Sequence, residues 1–475
     1  MSIRIQENLT YRRNLIRILL CCFANACWAN SAVAAVKLPS IIGDNMVLQS
    51  GTSVPIWGWA DKGEVVTVTF NEQTHATTAG EDGRWKVVLA TLGAGGPFAM
   101  IVKGSSGSTI VLKNVLVGEV WLASGQSNMA MTVADAKAGK QEVAAANHPT
   151  IRLFLVGRQK ANAPAANCGG AWTECNPASA SAFSAVAYNF GHELQKVLQT
   201  PVGLINASWY GCPAEAWVSR KSLEANASLK PMAGQGESSV LYNGMLAPLI
   251  PYAIRGTIWY QGEANVERAF QYRSLFPAMI ANWRSDWGQS EFPFGFVQLA
   301  PFHYYWHSPL FWPELCEAQR LTLDSSPNTG MVVTTDLGDL KDIHPKNKKE
   351  IGRRLTLWAL AKVYGRGLAY SGPLYKSMSI EGARVRLQFD HVAGGLIASD
   401  NKPLREFVIA GVDQTFLPAT AQIDGDSIIV QSDQISQPVA VRFAWRDEAQ
   451  PNLVNKANLP ASPFRTDAWK GLTEP

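Results

Sequence analysis

From residue 116 to about residue 365, short apolar runs alternate with stretches of helical period, and most runs end in a polar or small-residue cluster. The runs are Val120–Ala123, Val202–Ile205, Gly256–Tyr260, Phe294–Leu299 and Gly330–Thr335. Between them, Phe183, Val186, Ala187, Phe190, Leu194 and Leu198 share one helical face. So do Tyr272, Leu275, Phe276, Met279, Ile280 and Trp283, and later Ile351, Leu355, Trp358 and Ala359. Alternation of this kind predicts an α/β fold, a parallel sheet with helices on both faces. All strands of such a sheet point one way. Their C-terminal clusters therefore fall on one rim, the rim at which open α/β sheets bind ligands.

The flanks read differently. Residues 36–115 alternate with period two, as in Val66, Val68 and Phe70 against Thr67 and Thr69, and turn residues recur. They predict a small β-sandwich. Residues 116–367 form the sheet domain, and 368–475 return to short strands as a β-rich module. Residues 1–35 read as an export signal: Arg4, Arg12, Arg13 and Arg17, an apolar core from Ile18 to Ala29, and Ala32-Val33-Ala34 as the cleavage site. The mature protein is expected to be secreted or periplasmic. The apolar core is short for a span, and no later segment is long and apolar enough.

Four arginines and Glu7 leave with residues 1–34, so 38 basic side chains then face 37 acidic ones. Near-neutrality without a dense basic run argues against nucleic-acid or membrane-surface partners. Three of the seven cysteines leave too. Cys168, Cys175, Cys212 and Cys316 fit no zinc spacing. In an exported chain an even number predicts disulfides, with Cys168–Cys175 the first pair and Cys212–Cys316 the second by arithmetic. No metal or cofactor is expected. Nothing in the sequence fixes an oligomeric state.

The chemistry is sought on the rim. Ser127 ends the small-residue turn Ser124-Gly125-Gln126-Ser127, between the first run and a helix expected from Asn128 through Lys137. A hydroxyl there is a candidate nucleophile, which needs a base and an oriented one. Seven histidines lie in the mature chain, but only His344 follows the last run and precedes a helix. Asp342 can accept from its ring. For the oxyanion, Gly211 offers a backbone N–H, Ser127 another, and Gln261 or Asn265 a side-chain amide. Glu263 has three readings: support for His344, a hydrogen bond to sugar, or a brace for its loop. The aromatic segment 302–307, with Phe311 and Trp312, is read equally as a sugar-stacking surface or as a loop buried between domains.

Four segments in this order, GQSNM (125–129), WYGCPAEAW (209–217), WYQGEAN (259–265) and DLGDLKDIHP (336–345), resemble the sialate O-acetylesterase group of the SGNH hydrolases. The resemblance extends from Leu38-Pro39 to the closing segment 459–465. It implies a flavodoxin-like sheet and a carbohydrate esterase without cofactor. It also implies Ser127 as nucleophile, Gly211 and the Gln261–Asn265 segment at the oxyanion site, and His344 as base. SGNH enzymes commonly carry Asp three residues before this histidine; here Lys341 holds that place and Asp342 stands two before. The orienting acid thus lies between Asp342 and Glu263. Cys212 and Cys316 stand where the group more often shows Thr and Arg. A bridge between them would tie the oxyanion loop to a helix near Trp312, and the missing cation bears on recognition of an acidic sugar. The activity expected is removal of O-acetyl groups from carbohydrate, sialic acid first and acetylated xylan as the alternative. The rival is a non-catalytic carbohydrate-binding protein, against which the joint presence of Ser127 and His344 speaks.

Overall fold

A single strand of 17 residues, Thr109–Gly125, runs through two parts of the molecule. The computed structural model describes residues 35–289, 291–305 and 307–475. The expected signal segment, apart from Ala35, and Trp306 lie outside the described residues.

The first half of the strand pairs antiparallel with Gly95–Gly104, from Lys103 opposite Thr109 to Gly95 opposite Val117, and Val47–Gln49 joins it parallel. Here burial alternates, as on a sheet with one wet face. From Val115 to Gly125 every residue is buried, as in a strand covered on both sides. That half pairs parallel with Val202–Ser208 on one side and Gly256–Tyr260 on the other. The division expected between residues 115 and 116 falls inside this continuous strand.

The central sheet carries, side by side, Thr329–Val332, Phe294–Val297, Gly256–Tyr260, Thr109–Gly125, Val202–Ser208, His148–Leu155 and Trp172–Cys175. The first six are parallel, and the last runs antiparallel at the edge. The chain moves from the Thr109–Gly125 strand to one side, then returns to fill the other. This reversal makes the crevice beyond Gly125 a topological switch point.

Alternate residues of the strands enter two separate cores. Val120, Leu122, Trp259, Phe294 and Phe296 pack beneath helices Ala269–Trp287 and Phe311–Ser325. Trp121, Ala123, Ile258 and Tyr260 pack beneath helices Ala185–Leu198 and Lys348–Lys362. Trp358, from the closing helix, lies so flat on the sheet that a Cβ at Gly330 would stand 1.9 Å, and at Gly295 2.4 Å, from its indole. Those glycines in the strands are therefore a packing requirement.

The C-terminal residues form a third core in small antiparallel sheets, including Leu374–Glu381 with Arg384–Asp390 and Phe407–Ala410 with Ala440–Phe443. This module closes back on the sheet domain. Gln298 Nε2 donates to Ser462 Oγ at 2.9 Å, and Glu314 accepts from the amides of Leu472 and Thr473.

All four cysteines in the described residues are free and buried, which corrects both expected disulfides. Each thiol has its own surroundings. Cys212 Sγ donates to Trp209 O and accepts from Trp217 Nε1, both at 3.0 Å, while Cys316 Sγ faces Leu299 O. Burial pushes the Cys212 thiol up to about 12 and the Cys168 thiol up to about 11. Arithmetic on cysteine number carries no distances, and here it misleads.

Candidate active site

Gly125 ends the central strand with φ +141°, and a Cβ there would stand 2.1 Å from Tyr260 O. Only glycine turns the chain here, and the turn delivers Ser127 above the end of the sheet. The helix expected through Lys137 is one turn, Ser127–Ala130. It stops because Thr132 leaves to bridge Ser184, and its hydroxyl donates to Asp135 at 2.6 Å. Ser127 stands at the start of that turn, so its N–H has no intrahelical acceptor.

The loop after the last parallel strand carries the imidazole to meet it. Ser127 Oγ and His344 Nε2 are 2.8 Å apart. Asp342 Oδ1 lies 3.2 Å from His344 Nδ1 and accepts from the His344 amide at 2.9 Å. The ring is thus held through both backbone and side chain. Lys346 pairs with the other Asp342 oxygen at 3.3 Å. Burial holds the His344 imidazole below its ordinary range; Asp342 opposes this, and the Lys348 and Lys346 charges add to it. Burial pulls the Asp342 carboxyl upward, but the His344 amide and Lys346 outweigh it and hold the group low.

Glu263 hydrogen-bonds elsewhere. Its Oε1 accepts from Asn128 Nδ2 at 2.5 Å, and burial pushes its carboxyl up. Asn128 Nδ2 also donates to Ile343 O at 3.0 Å, and its Oδ1 accepts from Lys348 Nζ. Sequence reading passed over both Asn128 and Lys348. A lysine opening a helix looks solvent-facing, yet Lys348 is fully buried. The one available signal was its place four residues after His344, beside the base loop.

Gly211, with φ +63°, sits on the exposed loop that follows the Val202–Ser208 strand, where an added Cβ meets nothing within 4 Å. The amide of Trp209 donates to Gly125 O at 3.0 Å, which brings that loop beside the serine turn. Gln261 and Asn265, the expected side-chain oxyanion donors, hydrogen-bond within the protein. Gln261 Nε2 is bonded to Asn265 Oδ1 at 2.7 Å, and Asn265 Nδ2 to Glu215 Oε2 at 3.0 Å. Asn265 Oδ1 also accepts from the Ala214 amide at 2.9 Å. Both side chains are buried and tie the two rim loops together through the Ala214 amide and Cys212 O.

The described aromatic residues here are mostly half-buried around Trp312. Trp312 is buried with Nε1 on Ala300 O, and Phe302 and Tyr304 pack on it at 5.8 Å between ring centroids. Among the described residues of the segment Tyr305, 66% exposed, faces out. No histidine, cysteine or carboxylate group compatible with an ion adjoins Ser127 among the described residues; the one such cluster is His303, Asp447 and Glu448.

The profile of the family "carbohydrate esterase, sialic acid-specific acetylesterase" matches residues 117–360, which carry Ser127, Gly211 and His344. The chain belongs to the sialic acid-specific acetylesterases, a family of carbohydrate esterases. It is 32% identical to sialate O-acetylesterase from Rattus norvegicus, over 86% of this chain and 89% of that protein. It is 31% identical to sialate O-acetylesterase from Homo sapiens, over 92% and 94%. A crystal structure of a carbohydrate acetylesterase from Xanthomonas citri matches with a TM-score of 0.87 at 41% identity, over 92% of this chain and all of that one. The protein is a carbohydrate O-acetylesterase of α/β fold, with additional β-rich regions. No helix of the described residues is long and apolar enough to cross a membrane.

Proposed function

We propose that this acetylesterase is an exported serine enzyme that cleaves O-acetyl groups from sialic acid through an acetyl-Ser127 intermediate. The observation that carries the chemistry is the 2.8 Å contact between Ser127 Oγ and His344 Nε2, across 217 residues of chain. His344 takes the hydroxyl proton as Ser127 attacks the acetyl carbonyl. Asp342 fixes the ring so that Nε2 is the accepting nitrogen. The tetrahedral oxyanion rests on the N–H groups of Ser127 and Gly211; a well-placed donor of this kind contributes about 3–4 kcal/mol. Gln261 and Asn265 act as braces that hold the Gly211 loop in register. His344 returns the proton to the departing sugar oxygen. It then activates water, and hydrolysis of acetyl-Ser127 releases acetate. Export is supported by the basic front, apolar core and small-residue site of residues 1–34.

Ser127→Ala is expected to lower acetate release by about 10⁴-fold or more with folding retained, measured with p-nitrophenyl acetate. Wild-type activity in that variant would overturn the nucleophile. The sugar is supported by the sialate O-acetylesterases among the relatives. Acetate release from O-acetylated sialic acid exceeding that from acetylated xylan is the expected result. The reverse preference would replace the sugar and leave the serine chemistry intact.

A further inference from the structure

Behind the reacting pair lies a charged group for which the mechanism above has no use. Lys348 is fully buried at the start of helix Lys348–Lys362, where an ammonium also faces the unfavourable end of the helix dipole. Its Nζ lies 5.0 Å from the centre of the Tyr260 ring and donates to Asn128 Oδ1. Glu263, 7% exposed, accepts from the same amide through Oε1, while its Oε2 has no hydrogen-bond partner among the described residues. Asn128 is covalently next to the nucleophile and also donates to the carbonyl of Ile343, next to the base. Buried charges of this sort cost stability relative to apolar packing. Their position is the informative point: one amide joins the serine turn, the 263–268 turn, the base loop and the closing helix.

We propose that Asn128, Glu263 and Lys348 form a positioning unit that holds Ser127 in register with His344. The proposal rests on the Ser127–His344 reading. The charged and titratable groups acting on His344 are Asp342 and Lys346 from its own loop and Lys348 from the helix behind. Those acting on Lys348 are Glu263, Lys346 and Asp342, with Tyr260 beneath it. Burial pulls the Lys348 ammonium down to about 7, with Glu263 opposing. Glu263 is the acidic partner that Asn128 links to this lysine. The sign follows: removing the cation makes the imidazole easier to protonate, so activity is lost at a higher pH as acid is added.

The test compares wild type with Lys348→Met, Lys348→Arg and the double variant Glu263→Gln/Lys348→Met. It measures kcat and KM for p-nitrophenyl acetate, the acid limb of kcat/KM against pH, and Tm. Lys348→Met is expected to lower kcat on the order of tenfold with KM little changed, and to move the acid limb up by roughly half a pH unit or more. Lys348→Arg keeps the charge and leaves the limb in place. The double variant, which buries no lone charge, regains Tm but keeps the raised limb. If Lys348→Met does not fold, the double variant carries both readouts. A limb that coincides with wild type, an unchanged kcat, or a limb that returns together with Tm would overturn the proposal. Failure here with an inactive Ser127→Ala leaves the serine reading standing; an active Ser127→Ala removes that reading itself.

Discussion

Asp342→Asn separates orientation from charge at the base. The asparagine oxygen still accepts from the His344 amide and ring N–H, so the geometry is kept while the negative charge is lost. At the 3.2 Å contact, Coulomb's law bounds the attraction for an imidazolium between about 1 kcal/mol in bulk water and about 5 kcal/mol at an effective dielectric of about 20. The His344 and Asp342 side chains are 34% and 38% exposed, and Lys346 shares the carboxylate, so screening sets the value toward the low end. About 2 kcal/mol corresponds to about a 30-fold loss. The substitution is therefore expected to lower kcat/KM by roughly 10- to 100-fold, well short of the ~10⁴ typical of a fully buried triad carboxylate. Because Asp342 raises the proton affinity of His344, its removal moves the acid limb of kcat/KM to lower pH. Stopped-time acetate assays from acidic to neutral pH measure both quantities. A loss near 10⁴, an undiminished rate, or a limb that moves upward would each refute this account of Asp342.

Two further outcomes follow from the geometry. Gly125→Ala places a Cβ against Tyr260 O at a left-handed φ, and is expected to cost roughly 3 kcal/mol or more in urea unfolding, with loss of activity. With four free buried cysteines among the described residues, reductant is expected to leave the Tm of a chain spanning 35–475 unchanged; a clear fall in Tm would reveal a disulfide.

Legibility in the sequence followed what each residue had to do. Strand–helix alternation put Ser127 and His344 on one rim because parallel topology leaves no choice of direction. Asp342 was one of two candidates for the acid, and its hydrogen bond arises locally, within two residues of the base. Side-chain direction was hidden. Gln261 and Asn265 lie beside the site in the chain but spend their amides on each other and on Glu215. The short helix after Ser127 was hidden too, since the tertiary bridge from Thr132 to Ser184 ends it against good helical propensity. Lys348 was missed because residue type predicts exposure, and only the fold supplies the buried carboxylate opposite it.

The 17-residue strand has a bearing on how this enzyme can be dissected. Cutting at residue 117, where the family match begins, severs the rod that leads to Ser127 partway along its length. The remaining stub keeps Val202–Ser208 and Gly256–Tyr260 beside it but loses Gly95–Gly104 and Val47–Gln49, which anchor its root. The catalytic half is thus not a portable cassette, and fusions or truncations meant to preserve turnover must carry the N-terminal sheets with it.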